Sequence, residues 1–237
     1  MQAFILRQNI ERFRNLLVQE ERQAERRTLR ELLATALREQ AVLLASRDGF
    51  EMEVDPLQAV VQRRVFRDKY MPLPQACLLL DPRKGLHIVE INDAYGSITM
   101  TQPALVIGRS IFEVFPDNPA DPDADGIANL YASLKRVAER HTTDVTPVQR
   151  YDMRSPAGGF LTKFWKMSNQ PILSEDESLV YFLQSLEDIT KELLYGPASL
   201  AQTYDRNACG NSEGGYHPRS FEASAAASTR TTSSSSS

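Results

Sequence analysis

The chain has 237 residues, a net charge of −4 and two cysteines. Its 42% hydrophobic and 24% charged residues are typical of a globular protein, and the negative balance argues against a dedicated nucleic-acid binder. No uncharged apolar run approaches the ~20 residues of a membrane span, and the start of the chain lacks the basic and apolar segments of a signal peptide. Two cysteines exclude a disulfide-rich scaffold. We therefore expect a cytoplasmic protein that binds neither membrane nor nucleic acid.

Apolar residues recur at helical spacing through residues 1–48, which contain no Pro and no Gly. A polar stretch over residues 19–27 divides the pattern, so it predicts either one long helix or a helical hairpin. An apolar stripe on a helix has to be covered, and a second copy of the chain would cover it in a homodimer. The stripe residues that we assign to oligomerisation are Ile10, Phe13, Leu17, Leu29, Leu33 and Leu37.

The next segment, residues 49–71, reads as a linker with one short helix. Asp55 is placed to cap this helix over residues 56–67, with a proline at its first position. A domain over residues 72–190 follows. It opens with two apolar runs, 76–80 and 86–91, whose separation by a Pro/Gly turn predicts a β-hairpin.

The rest of this domain alternates from helices to strands. The predicted helices are a short one around residues 94–98 (capped by Asn92 or Asp93), a short helical piece within residues 103–115, and a long one over residues 124–140 (capped by Asp123 or Asp125). The predicted strands cover residues 143–153, 159–167 and 179–186. The order predicts an α+β fold, with a five-stranded antiparallel sheet, helices on one face, and an N-terminal helical segment before it. Residues 191–195 form a short segment after the domain, and the Ser-rich residues 196–237 are expected to be a disordered tail.

Three segments resemble a PAS domain. They are Leu80-Asp81-Pro82 with Ile88–Tyr95, then Ile107–Pro116 with its Gly-x-x-Ile-Phe-Glu pattern, and the closing Asp188-Ile189-Thr190. The resemblance covers residues 72–190 and is to the PAS sensory domains of bacterial sensor kinases and phosphorelay proteins. It implies a cavity between sheet and helices, a role in ligand sensing, and dimerisation.

The resemblance also implies where a ligand and a signal would be handled. Side chains on the elements that would enclose the cavity are Phe112, Tyr131, Leu134, Gln149, Thr162, Phe164, Phe182 and Gln184. Ordinary core packing is the more common role for the apolar members, because each strand and helix buries one face. Asp188, Ile189 and Thr190 are the candidates for transmitting a change out of the domain, or alternatively for capping a following helix.

The residues favour no cofactor or metal and no catalytic site. In flavin-binding PAS domains a cysteine that follows a Gly-Arg-Asn triplet forms the photochemical adduct, and here Ile111 stands after Gly108-Arg109-Ser110. The one histidine placed for haem is His141, at the end of its helix. Asp121 begins a D-x-D-x-D-G calcium pattern that has Ala132 where a bidentate Glu is needed. The sequence thus disfavours flavin and haem, and it lacks the common catalytic motifs.

Three functions remain open at this stage. The first is a regulatory PAS module that senses a small ligand or binds a signalling partner without catalysis. The second is an oligomeric scaffold, for which Leu161 and Trp165 would lie on the outer face of the sheet. The third is an input subunit of a sensor histidine kinase whose catalytic part lies on another chain.

Overall fold

The computed structural model describes residues 1–50 and 53–196, which belong to one unit. The predicted disordered tail lies, from residue 197 onward, outside the described residues. In this part of the chain no helix is long and apolar enough to span a membrane. The helices are α1 Gln2–Gln19, α2 Gln23–Arg47, α3 Pro56–Lys69, α4 Asp93–Thr99, α5 Pro103–Val106, α6 Ile111–Val114, α7 Gly126–Arg140 and α8 Thr190–Tyr195. The strands are β1 Ala76–Leu80, β2 Ile88–Ile91, β3 Asp144–Val145, β4 Gln149–Arg150, β5 Met153–Arg154, β6 Phe160–Leu161, β7 Phe164–Leu173 and β8 Leu179–Asp188.

The N-terminal segment is a helical hairpin, not one long helix. The chain turns at Glu20–Arg22, inside the polar stretch. Arg26 stabilises the turn because its Nη1 donates to the carbonyl oxygens of Leu17 and Glu20 at 2.8 and 2.7 Å, which satisfies groups that the end of α1 leaves unpaired. The hairpin is therefore held by its own side chains.

The predicted oligomerisation stripe packs largely within this hairpin. Leu6 and Ile10 of α1 are buried against Ala36 of α2. Of the remaining predicted residues, Phe13, Leu33 and Leu37 pack against this cluster, and Leu17 and Leu29 are half-buried. The sequence argument was incomplete because α1 and α2 cover each other's stripe, so a second copy is not required to bury it.

The sheet is antiparallel in the order β2-β1-β8-β7-β3, and β4 also pairs with β7. This confirms the α+β plan, but two predicted strands are divided: 143–153 into β3, β4 and β5, and 159–167 into β6 and β7. Pro147 lies between β3 and β4 and has no N–H to donate to the ladder. β5 leaves the main sheet and pairs with β6.

Side chains of β1 alternate between two apolar layers. Leu78 and Leu80 face the main core with α4 and α7, whereas Cys77 and Leu79 face a second cluster around Phe66 of α3. Helices consequently lie on both faces of the sheet, where one face had been predicted. Cys77 is 1% exposed and, as expected, is a small core residue whose pKa is raised by burial.

The hairpin is attached to the domain through α2 and α7, which pack together. Ala41 and Ala45 of α2 belong to the main core. Beside them Arg38 Nε donates to Asp117 Oδ2 at 2.7 Å, and Asp117 Oδ1 accepts from the Ile127 amide at 3.1 Å. Asp117 thus caps α7, a role that the sequence had given to Asp123 or Asp125.

Candidate functional site

A cavity lies in the main core between the sheet and the helices, where the resemblance places one. Its volume is about 40 Å³, enough for roughly two or three water molecules. Its apolar wall includes Ile111, Phe115, Trp165, Met167 and Leu186. No charged residue lines it among the residues that the structure describes, so it suits an uncharged occupant.

Tyr151 lines the cavity beside the start of α7. Its ring packs so closely on Gly126 that a Cβ there would lie 1.8 Å from the ring, which explains the glycine at the start of α7. The Tyr151 hydroxyl donates to the carbonyl oxygen of Phe115. The backbone carbonyl oxygen of Tyr151 accepts from Trp165 Nε1 at 2.9 Å. Burial raises the pKa of Tyr151, so the hydroxyl stays neutral at physiological pH.

The polar wall is formed by Tyr95 of α4 and Gln184 of β8. The Tyr95 hydroxyl donates to Gln184 Oε1 at 2.8 Å, and both residues are 2% exposed. The Gln184 amide nitrogen in turn donates to Asn169 Oδ1 at 3.2 Å and approaches Met167 Sδ at 3.1 Å. Burial raises the pKa of Tyr95, which keeps this wall uncharged.

The hydrogen bonds continue from Asn169 to the α7–β3 surface. Asn169 Nδ2 donates to Ser133 Oγ at 2.8 Å, and Ser133 Oγ donates to Asp144 Oδ2 at 2.6 Å. Arg136 donates twice to the same carboxylate, at 2.7 and 2.9 Å. These hydrogen bonds from Arg136 lower the pKa of Asp144 below its usual value. We call this series, from Tyr95 through Gln184, Asn169 and Ser133 to Asp144, the core relay.

The structure brings two of the eight predicted ligand-binding residues to the cavity, Gln149 and Gln184. The others lie elsewhere. Phe112, Leu134 and Phe182 are buried in the main core and Tyr131 packs on it, whereas Thr162 is exposed and Phe164 is half-buried outside the lining.

The sequence analysis assigned the two faces of β7 the wrong way round. Trp165 had been placed on the outer face and Phe164 toward the cavity, yet Trp165 is 2% exposed and lines the cavity with Met167. A shift of one residue in a strand exchanges its two faces, and the apolar residues on both faces here hide the correct choice. Leu161 is exposed, as predicted.

The predicted signal residues form the junction between β8 and α8. Asp188 Oδ1 accepts from the Thr190 amide at 3.0 Å, and Lys163 Nζ donates to Asp188 Oδ2. Thr190 Oγ1 accepts from the Phe164 amide at 2.9 Å, while the Ile189 amide donates to the Phe164 carbonyl at 3.0 Å. The junction therefore ties the start of α8 to β7, and its signalling role stays a prediction.

The described residues contain no group of three side chains that could hold a metal ion. His141 is exposed in a left-handed conformation at the end of α7, and His87 is exposed beside β2, so neither lines the cavity. His217 lies outside the described residues. A flavin or haem ring does not fit about 40 Å³ without movement of Tyr95, Trp165 and their neighbours.

Comparisons with known proteins give structural matches only. No protein-family model matches the chain, and no curated protein matches it. A PAS domain of a protein from Colwellia psychrerythraea is 17% identical, with a TM-score of 0.39 over 56% of this chain and 98% of that one. A light-oxygen-voltage (LOV) domain studied with a flavin analogue is 14% identical, with a TM-score of 0.39 over 58% and 89%. The LOV domain of a blue-light activated histidine kinase from Erythrobacter litoralis is 16% identical, with a TM-score of 0.37 over 50% and 98%.

The chain has a PAS-like fold. The assignment rests on its own antiparallel sheet, the helices α4–α7 and the cavity between sheet and helices, because superpositions near a TM-score of 0.4 add no weight. The sequence analysis disfavoured flavin, but its argument excludes only one kind of flavin binding. Ile111 excludes a cysteinyl adduct at that position, whereas a flavin held without a covalent bond needs no thiol. Visible absorbance of the purified protein decides this point.

Proposed function

We propose that this chain is a regulatory PAS module that senses a small uncharged ligand in its core cavity, without catalysis, and signals to a partner protein. The observation that carries the proposal is the cavity itself, an apolar space with uncharged polar groups converging from Tyr95, Gln149 and Gln184. A few placed polar groups in an apolar cavity are typical of binding sites for small molecules.

The cavity also has a structural route to the end of the domain. Gln184 and Leu186 line it from β8, and the same strand continues to Asp188 at the start of α8. A ligand that favours one packing of this strand would bias the β8–α8 junction. The partner in this proposal is a sensor kinase or another signalling protein, and copurification with an ATP-binding partner would support the first.

The test measures ligand mass and thermal stability on the whole chain. Native mass spectrometry and an absorbance spectrum of the purified protein should reveal a small colourless ligand, or a thermal-shift screen should find one. Leu186→Phe fills the cavity and should abolish binding, whereas Leu161→Phe, at an exposed strand position, should leave it intact. An unresponsive protein overturns the proposal, and a bound flavin or haem overturns the small-ligand part of it.

A second candidate is an interaction protein that dimerises and binds no ligand. It is favoured by one apolar stripe on the outer side of α3, where Leu57, Val60, Val61 and Val65 are 75, 68, 52 and 42% exposed. A second copy of the chain could cover this stripe in a two-fold dimer. Light scattering on wild type and Val60→Glu separates a dimer through α3 from a monomer.

A further inference from the structure

The core relay has one direction throughout. Tyr95 donates its hydroxyl proton to Gln184, and the Gln184 amide donates to Asn169. Asn169 then donates to Ser133, which donates to Asp144. Each bond points away from the cavity and toward the surface between α7 and β3. Hydrogen bonds aligned in this way polarise one another in a low-dielectric interior.

Asp144 fixes that direction. An ionised carboxylate only accepts hydrogen bonds, so the Ser133 hydroxyl must donate to it, and the Ser133 oxygen is left to accept from Asn169. The Asn169 amide oxygen must then face Gln184. Arg136 keeps the carboxylate ionised by direct hydrogen bonds, and the charge of Arg140 acts in the same sense. Asn169 and Ser133 are fully buried, so water does not compete along the series.

The direction determines what the cavity wall can offer a ligand. Tyr95 has a single hydroxyl proton, which it donates to Gln184. The Gln184 amide nitrogen donates its protons to Asn169 and Met167, so neither residue has a proton left for a ligand. This wall therefore presents oxygen lone pairs. Gln149 also lines the cavity; its Oε1 accepts from Asn129 Nδ2 at 3.3 Å, so its amide nitrogen remains to donate.

We propose that the cavity selects an uncharged ligand of about four heavy atoms, of primary-amide type, that donates a hydrogen bond to the Tyr95–Gln184 wall and accepts one from Gln149. In this proposal Asp144 is a positioning residue: without touching the ligand, it makes the Tyr95–Gln184 wall an acceptor of hydrogen bonds. The inference rests on the proposed function and adds to it the chemistry of the ligand. The size of the ligand follows from the cavity volume of about 40 Å³, which holds roughly two or three water molecules. Covalently bonded atoms lie closer together than separate waters, so about four of them take the same space.

The test compares two probes of equal shape, acetamide and acetone. Both have a carbonyl oxygen for Gln149, but only acetamide can donate to the Tyr95–Gln184 wall. Binding is followed on the full chain by NMR titration of the Gln149 and Gln184 side-chain amides and the Trp165 indole. Acetamide should bind at least about tenfold more tightly than acetone, because a methyl group against buried lone pairs leaves them unpaired.

Two variants test whether the relay sets this preference. Asp144→Asn replaces the obligate acceptor with a group that can also donate, and Ser133→Ala cuts the relay while leaving the Arg136–Asp144 pair. Both should bring the acetamide-to-acetone ratio toward one. Glu139→Gln removes an exposed carboxylate that pairs with Lys135 on the same helix and should keep the full ratio.

Each result decides the inference. Equal binding of the two probes, tighter binding of acetone, or no binding of either at millimolar concentrations would overturn the ligand class. A full ratio retained in both Asp144→Asn and Ser133→Ala would overturn the role of the relay; near-ultraviolet circular dichroism confirms that the variants are folded. These failures are distinct from failure of the proposed function, since Leu186→Phe tests cavity binding of any ligand.

Discussion

Asp117 is the residue that ties the N-terminal hairpin to the start of α7. Its side chain is 1% exposed and accepts from both Arg38 and the Ile127 amide. Removal of the carboxylate leaves the Arg38 guanidinium and the buried Ile127 N–H without this acceptor. We expect Asp117→Ala to lower the free energy of unfolding by about 3 kcal/mol, measured by urea denaturation.

The control for this variant is Asp68→Ala. Asp68 is 73% exposed and forms a long ion pair with Arg64 on α3, so its loss should cost less than about 0.5 kcal/mol. If the two variants unfold at the same urea concentration, Asp117 does not connect the elements in the way described.

Some residue roles could be predicted from the sequence because their partners are near in the chain. Asp55 and Asn92 were recognised as helix caps, and each accepts from an amide two or three residues later. The core relay was not predicted, because Tyr95 and Gln184 are 89 positions apart and Asn169 and Ser133 are 36 apart. Local sequence carries no signal for such pairs; only the sheet register brings them together.

At the scale of elements, one carboxylate of β2 adds a polar attachment to the apolar packing of α3 on the sheet. Arg63 Nε and Arg67 Nε donate to Glu90 Oε1 at 2.7 and 2.8 Å, and the Glu90 side chain is 5% exposed. We expect Glu90→Gln to weaken both contacts and to speed hydrogen–deuterium exchange of the α3 amides, because local opening becomes easier. Glu187→Gln, at an exposed pair with Lys166, should leave α3 exchange unchanged.

The N-terminal hairpin allows a test of what its apolar stripe covers. Ile10 is 4% exposed and packs with Leu6 and Ala36 inside one chain. We expect Ile10→Asp to lower helicity and melting temperature, since it buries an unpaired charge. Circular dichroism and light scattering are measured together. Loss of a dimer with unchanged melting temperature would instead support the original prediction of an intermolecular stripe.

Element boundaries were predicted best where the helical periodicity is regular, as for α3 and α7, although the capping side chain predicted for α7 was wrong. They failed along β7, which continues through Pro171 to Leu173 beyond the predicted end. Pro171 pairs with Phe182 of β8, whereas pairing with β3 reaches only Asn169, so its missing N–H costs no bond on the β3 side. The sequence shows the proline but not which neighbours the strand has at that point.

For the whole molecule, the pKa shifts predict a stability plateau with two limits. Hydrogen bonds from Arg136 lower the pKa of Asp144; for Asp152, burial raises the pKa, but hydrogen bonds from Arg150 and Asn118 lower it more. The stability from these groups is present above the usual value of 3.8 and is lost as pH falls through their lower folded-state pKa.

The upper limit comes from Tyr95 and Tyr151, whose pKa values burial raises above 10.0. The unfolded chain ionises these groups first, so stability decreases as pH rises above 10. We expect the urea midpoint to be flat between about pH 5 and 9 and to fall on either side. Asp144→Asn should reduce the loss on the acid side; an unchanged acid limb would contradict the assignment.

Neither margin of the main sheet offers a ready template for adding a strand. Beside β2, the Ile88 amide and carbonyl are already engaged by Arg109 and Gly108 of the α5–α6 segment. At the opposite margin β3 and β4 have two residues each and are separated by Pro147. Unpaired, regular edges are where sheets join edge to edge into aggregates, and irregular or covered ones resist this. Association with other chains should consequently proceed through helical surfaces, and concentrated solutions of the folded protein should resist fibril growth.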